Sequence, residues 1–171
     1  MEKEKYITGS KILTAVYGMT VVSGYVADWN RTHLFNPRWT PHSKFHDALS
    51  ILMATMNGAS SLYFLHKKSG DRLSQLNTSV LFTAIPCVSM GLAYAFPGAK
   101  GLEAEFPKLV PKIGKVYLSE WVVSVTGLAL LAIGYAMEKE TRKRAFRKKL
   151  PVAELFKKVN LQNLKLRLYH N

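Results

Sequence analysis

The chain has 171 residues, 48% of them apolar, a mean hydropathy of zero and a formal charge of +13 from 24 Lys+Arg against 11 Asp+Glu. That length is one domain, and a charge that size narrows the partners to nucleic acid, an anionic membrane surface, or the topology signal of a membrane protein. One cysteine, Cys87, excludes an internal disulfide.

The apolar residues stand in four blocks with the charges between them. The first, ILTAVYGMTVVSGYVA, fills sixteen uncharged positions between Lys11 and Asp28. Lysines ahead of a short apolar core also suit a signal peptide, but the best cleavage site, Val22-x-Gly24, is poor, so a retained span is expected. The loop DWNRTHLFNPRWTPHSKFHDA follows, residues 28–48, with three of the five histidines and two of the three tryptophans. Within it Thr40-Pro41 reads as a helix start, Thr as N-cap and Pro in the first helical position. The helix so begun sets His42 and His46 one turn apart on one face, which continues through Ser50, Met53 and Asn57. An amide in hydrocarbon needs a partner, expected for Asn57 on a neighbouring helix near Gly58, Ser60 and Ser61.

The second block encloses eighteen uncharged residues between Asp47 and His66, and no charge interrupts the chain between Arg72 and Lys100. Pro86 should kink that third helix and leave a cavity, and Cys87 beside it should be inert in apolar surroundings. The loop FPGAKGLEAEFPKLVPKIGK is expected to be solvated, with a short segment covering the site as the alternative. The fourth block encloses seventeen residues between Glu120 and Glu138. Each block reaches or approaches the ~17–25 residues a helix needs to cross a bilayer, and none alternates apolar and charged faces as a surface helix does. The expected fold is therefore all-α: an integral membrane four-helix up-and-down bundle, with spans at about 11–28, 45–66, 78–97 and 117–137. The marginal lengths leave a soluble bundle as the alternative. Residues 1–138 form the membrane domain and 139–171 a basic cytosolic tail.

Four crossings put the N-terminus, the middle loop and the tail on one side. That side holds 17 of the 24 Lys+Arg and six of the 11 Asp+Glu, a net of +11, against +2 on the other. Under the positive-inside rule both termini are cytosolic, in the endoplasmic reticulum of a eukaryote or the inner membrane of a bacterium. Trp29, Trp39, Tyr117 and Trp121 then suit the interfacial belt of the opposite face. In the tail, EKETRKRAFRKK continues the last helix, and beyond Pro151 the residues Val152, Leu155, Phe156 and Val159 recur at helical spacing. A basic amphipathic helix there would lie on anionic lipid headgroups. The charge is accounted for by topology, and nothing resembles a nucleic-acid module, so no nucleic-acid partner is expected.

Asp28, His42, His46 and Glu120 should meet at the non-cytosolic rim, with Asp47 and His33 nearby. Three readings stay open for them. In the first, His42 and His46 transfer protons with Glu120 or Asp28: an imidazole at a helix N-terminus stays neutral, and a desolvated carboxylate is pushed up. In the second, His33, His42 and His46 hold zinc or iron, since i, i+4 histidines are a metal-ligand spacing. In the third, the histidines and tryptophans only cap helices and bind headgroups. Under the first reading no cofactor is required, and His33, Asn36, Trp39 and Asn57 would line the binding site. No phosphate-cradling loop or dinucleotide fingerprint is present.

The run from Thr32 to His46 resembles a loop found in a family of small, mostly uncharacterised four-span membrane proteins of fungi and bacteria. Its pattern, T-H-x-F-N-P-x-W-x-P-H-x-x-F-H, falls here on Thr32, His33, Phe35, Asn36, Pro37, Trp39, Pro41, His42, Phe45 and His46. Length and span count agree with the resemblance, which implies the four-span fold and brings no established activity. The expected function is a small membrane enzyme acting on a lipophilic molecule by proton transfer, as in isomerisation or cyclisation. Alternatives are a non-catalytic accessory or scaffold protein and a metal-dependent enzyme. The bilayer, a lipophilic small molecule and a homo-oligomeric copy complete the expected partners.

Overall fold

A computed structural model of the protein describes residues 8–149. Four helices, α1 (Gly9–Ala27), α2 (Pro41–His66), α3 (Arg72–Leu92) and α4 (Glu120–Lys149), account for most of it. Single 3-10 turns at Ala93–Ala95 and Leu102–Ala104 follow α3, and a two-residue hairpin, β1 (Lys112–Ile113) with β2 (Val116–Tyr117), leads into α4. Each helix packs antiparallel on the next and α4 closes the ring on α1, which makes an all-α up-and-down bundle.

Local chemistry sets the boundaries. Thr40 caps α2 by accepting a hydrogen bond from Ser43 N–H at 3.2 Å, with Pro41 in the first position, as the sequence led one to expect. Asp71 caps α3 by accepting from the N–H groups of Leu73 and Ser74. Helix α3 therefore starts earlier than the expected residue 78, because its first turn is polar but well capped. Pro86 lies inside α3 without ending it. Helix α4 runs unbroken past residue 138 into the basic segment, while the expected amphipathic helix beyond Pro151 lies outside the described residues.

Helices α2, α3 and α4 are long and apolar enough to cross a membrane. Helix α1 has 19 residues, about 28 Å of rise, and lies between α2 and α4 as the fourth member. The outward faces carry exposed Met19, Leu52, Met56, Leu81, Val125 and Ile133, the reverse of a water-soluble surface. This is an integral membrane protein.

Leu13, Tyr17, Leu65, Leu76 and Leu131 form the buried core. Hydrogen bonds tie the helices inside it: Tyr17 Oη to Ser79 Oγ at 3.1 Å, Ser61 Oγ to Thr83 Oγ1 at 2.8 Å, and Ser124 Oγ donating to the Cys87 carbonyl at 2.7 Å. Small residues let backbones meet; a Cβ on Gly58 would lie 2.8 Å from the Tyr17 carbonyl oxygen. At the end where α4 leaves the bundle, Arg142 binds Glu138 Oε1 at 2.8 Å with both side chains only 9% exposed. Its guanidinium also donates to the carbonyls of Leu65 and Arg72. One side chain thus joins the end of α2, the start of α3 and α4.

Candidate functional site

The opposite end is built from the 28–40 loop, the start of α2, the segment 93–119 and the start of α4. Two asparagines fold the loop. Asn30 Oδ1 accepts from Thr32 N–H at 2.7 Å and Thr32 Oγ1 at 2.6 Å, and buried Asn36 spans the turn, donating to the Thr32 carbonyl at 3.1 Å and accepting from Arg38 N–H at 3.0 Å. Asn36, expected at the mouth of a binding site, is thus committed to the backbone of the loop. The turn carries His33 back over the end of α1, where its Nε2 lies 3.7 Å from Asp28 Oδ1. Its Nδ1 lies 2.8 Å from Thr32 Oγ1, and Trp39 packs edge-on against the ring at 5.6 Å.

Asp28, in the loop just past α1, has its carboxyl raised above the ordinary range. Burial is the main cause; His33 pulls it down, and the charges of Asp47 and Glu120 push it further up. Four ionisable groups from α1's end, the loop, α2 and α4 therefore share one field. Glu120, in the first turn of α4, accepts from the Tyr94 hydroxyl at 2.9 Å and from Leu102 N–H at 3.0 Å. Beside it opens a cavity of about 160 Å³, walled by Met90, Ala93, Tyr94, Ala99, Gly101 and Glu120.

The remaining candidates lie elsewhere. His42 and His46 approach each other to 3.1 Å between Nε2 atoms, on an exposed face of α2 beside Phe45. Asn57 donates to Met53 O of its own helix at 2.7 Å, not to a neighbouring helix as expected, because the carbonyl one turn back is within its reach. Of the expected metal set, only His42 and His46 converge; His33 is turned to Asp28, and no group of three or more His, Cys, Asp or Glu among the described residues is placed to hold a metal. Tyr94, Glu103 and Ser119 were no part of the expected site. They reach this end through a segment without periodicity, so no sequence pattern announced them.

The model of one protein family, described as a family of unknown function (DUF6640), matches residues 12–148. No curated protein and no solved structure matches the chain.

Proposed function

The chain belongs to the DUF6640 family, a family of unknown function, and we propose that it is a small membrane enzyme that moves a proton on a lipophilic substrate entering from the bilayer. The observation that carries this reading is the Asp28–His33 pair, 3.7 Å apart, under the field of Asp47 and Glu120. Burial keeps the Asp28 carboxyl protonated to higher pH than usual, which suits a donor, and the adjacent imidazole suits an acceptor. His33 takes a proton from one atom of the substrate and Asp28 delivers one to another. The proton then passes from the imidazolium to the Asp28 carboxylate and both groups are reset. The net reaction is an isomerisation or cyclisation with no change of composition. Glu120, fixed by two donors, is the negative charge that steadies positive charge in the transition state.

Relative to the sequence-based expectation, the proton-transfer role moves from His42 and His46 to His33. Cytosolic termini, with this rim on the other side, follow from the charge split of +11 against +2, in the endoplasmic reticulum or a bacterial inner membrane. The basic tail rests on anionic headgroups, and the loop from Thr32 to His46 is a mark of the family in fungi and bacteria.

Membranes carrying the protein should be incubated in D₂O and their lipophilic extract examined by mass spectrometry. One species is expected to gain solvent deuterium and a new retention time. His33→Gln and Glu120→Gln each abolish that change while the protein stays folded, and His46→Ala leaves it. The reverse pattern for the histidines returns the chemistry to α2; no protein-dependent exchange leaves the accessory reading. A reporter fused after Asn171 should be cytosolic.

A further inference from the structure

The hairpin ahead of α4 has two unlike faces. Gly114, at a φ of +60°, opens its two-residue turn, and the register pairs Ile113 with Val116 and Lys112 with Tyr117. Residues opposite one another in an antiparallel pair share a face, and successive residues alternate between faces. Ile113 and Val116 therefore stand on one face. Lys112 stands on the other, its ammonium 5.7 Å from the centre of the Tyr117 ring. The apolar face is bare: Ile113 is 72% exposed and Val116 49%. Two residue pairs are too few to hold a hairpin in water on their own, and apolar surface left in water costs free energy. Neither Lys112 nor Lys115, in the turn, forms an ion pair among the described residues.

We infer that this hairpin lies in the lipid headgroup layer at its end of the bundle, with Ile113 and Val116 turned to the acyl chains and Lys112 and Lys115 at the phosphates. Continuity with the lipid-facing surface names lipid as the occupant. Strand β2 ends at Tyr117 and α4 begins at Glu120, so the hairpin stays near the plane where that helix enters hydrocarbon. From it, exposed Leu118 leads to exposed Trp121 and Val125, one turn apart on the outward face of α4. Tyr and Trp settle in that layer, and a lysine there keeps its stem on apolar surface and its charge at phosphate. A second copy docked symmetrically by the same face would set these lysines against their own equivalents. The hairpin is thus not the solvated loop that the sequence suggested, and its place in the lipid is independent of the proton-transfer chemistry.

The test is nitroxide accessibility on the full chain, one copy per nanodisc of phosphatidylcholine with phosphatidylglycerol. A spin label on Ile113→Cys, in a Cys87→Ala background, is probed with oxygen, which concentrates among acyl chains, and with a water-soluble nickel chelate. Glu105→Cys, at an exposed position of the same loop, is the aqueous reference. The oxygen-to-nickel ratio should be several-fold higher at position 113 than at position 105, with matching unfolding midpoints. A label on Val116→Cys should behave like the one at 113, and adding Ile113→Asp should bring its ratio down to the reference. Exchanging a lipid-seated isoleucine for a carboxylate moves the in–out equilibrium by at least about tenfold. A ratio at 113 equal to the reference overturns the inference and returns a solvated loop. Exclusion of both reagents in the single-copy discs also overturns it, because another part of this chain then covers the face. Exclusion of both in vesicles carrying many copies gives the face to a second copy and overturns it likewise.

Discussion

The two ends of the bundle handle buried charge in opposite ways. Where α4 leaves the helices, Arg142 pairs with Glu138 at 2.8 Å and its remaining donors take the carbonyls of Leu65 and Arg72. At the other end, Asp47 Oδ2, Glu103 Oε2 and Ser119 Oγ are buried with no partner, against one such atom, Gln75 Oε1, among the described residues at the first end, and Asp28 faces two like charges with only an imidazole to balance them. A satisfied network makes one geometry much the best and holds three helices in register. An unsatisfied one costs stability and persists only where the rest of the fold supports it. The first end is thus the clamp, and the second is where most of the buried polar atoms without a partner among the described residues collect.

The sharpest way to break this contrast is Arg142→Met. It leaves Glu138 buried without its partner and strands two carbonyls, so a loss of about 3–5 kcal/mol is expected, read as a large drop in the thermal unfolding midpoint in detergent. Glu120→Gln, at the other end, should leave that midpoint within the ordinary scatter of surface substitutions. Equal destabilisation by both would mean that the two ends are structural alike. Between them stands Thr83→Val, which removes the partner of Ser61 in mid-bundle; about 0.6–1 kcal/mol is expected, since interhelical hydrogen bonds in membranes are modest.

The helices were legible because hydrocarbon leaves so little choice: an uncharged run of about eighteen residues must satisfy its backbone within itself. The start of α2 was legible too, because Thr40-Pro41 fixes it by local chemistry alone. The site was legible only in outline. Asp28 and Glu120 were expected at one rim because each ends an apolar block, and Asp28 does feel the charge of Glu120. That His33 is the histidine beside Asp28 was not. His42 and His46 advertise themselves by helical spacing, whereas His33 reaches Asp28 through turns made by Asn30 and Asn36 side chains, which no periodicity encodes. Tyr94, Glu103 and Ser119 were hidden for the same reason: 3-10 turns and a two-residue hairpin fold them back onto α4.

The pH dependence of stability separates the ends more finely. The folded-state pKa of Asp28 is raised, mainly by burial, so the folded protein holds that proton more tightly than the unfolded chain. Between the ordinary aspartate value and the raised one the native state binds more protons, so stability falls as pH rises through that window. Below it the full stability is present; above it the loss is complete. His33 opposes the shift, while Asp47 and Glu120 add to it. Asp28→Asn should therefore flatten the fall in unfolding midpoint measured from about pH 4 to about pH 7. An unchanged slope would mean that Asp28 is ionised as freely in the fold as outside it.

The smallest effect belongs to a pair with the same chemistry as the clamp. Arg38 Nη2 lies 3.6 Å from Glu105 Oε2, with side chains 72% and 64% exposed. Water screens that attraction, and ordering two long side chains offsets most of what is left, so Arg38→Ala should change stability by less than about 1 kcal/mol. The guanidinium of Arg142 meets the same kind of carboxylate, but at 2.8 Å and 9% exposure. The two arginine variants, measured side by side, hold the ion pair's chemistry constant and vary burial and the carbonyls that Arg142 also binds. If Arg38→Ala proves as damaging as Arg142→Met, burial does not set the difference between the ends, and the rim loop is a second clamp.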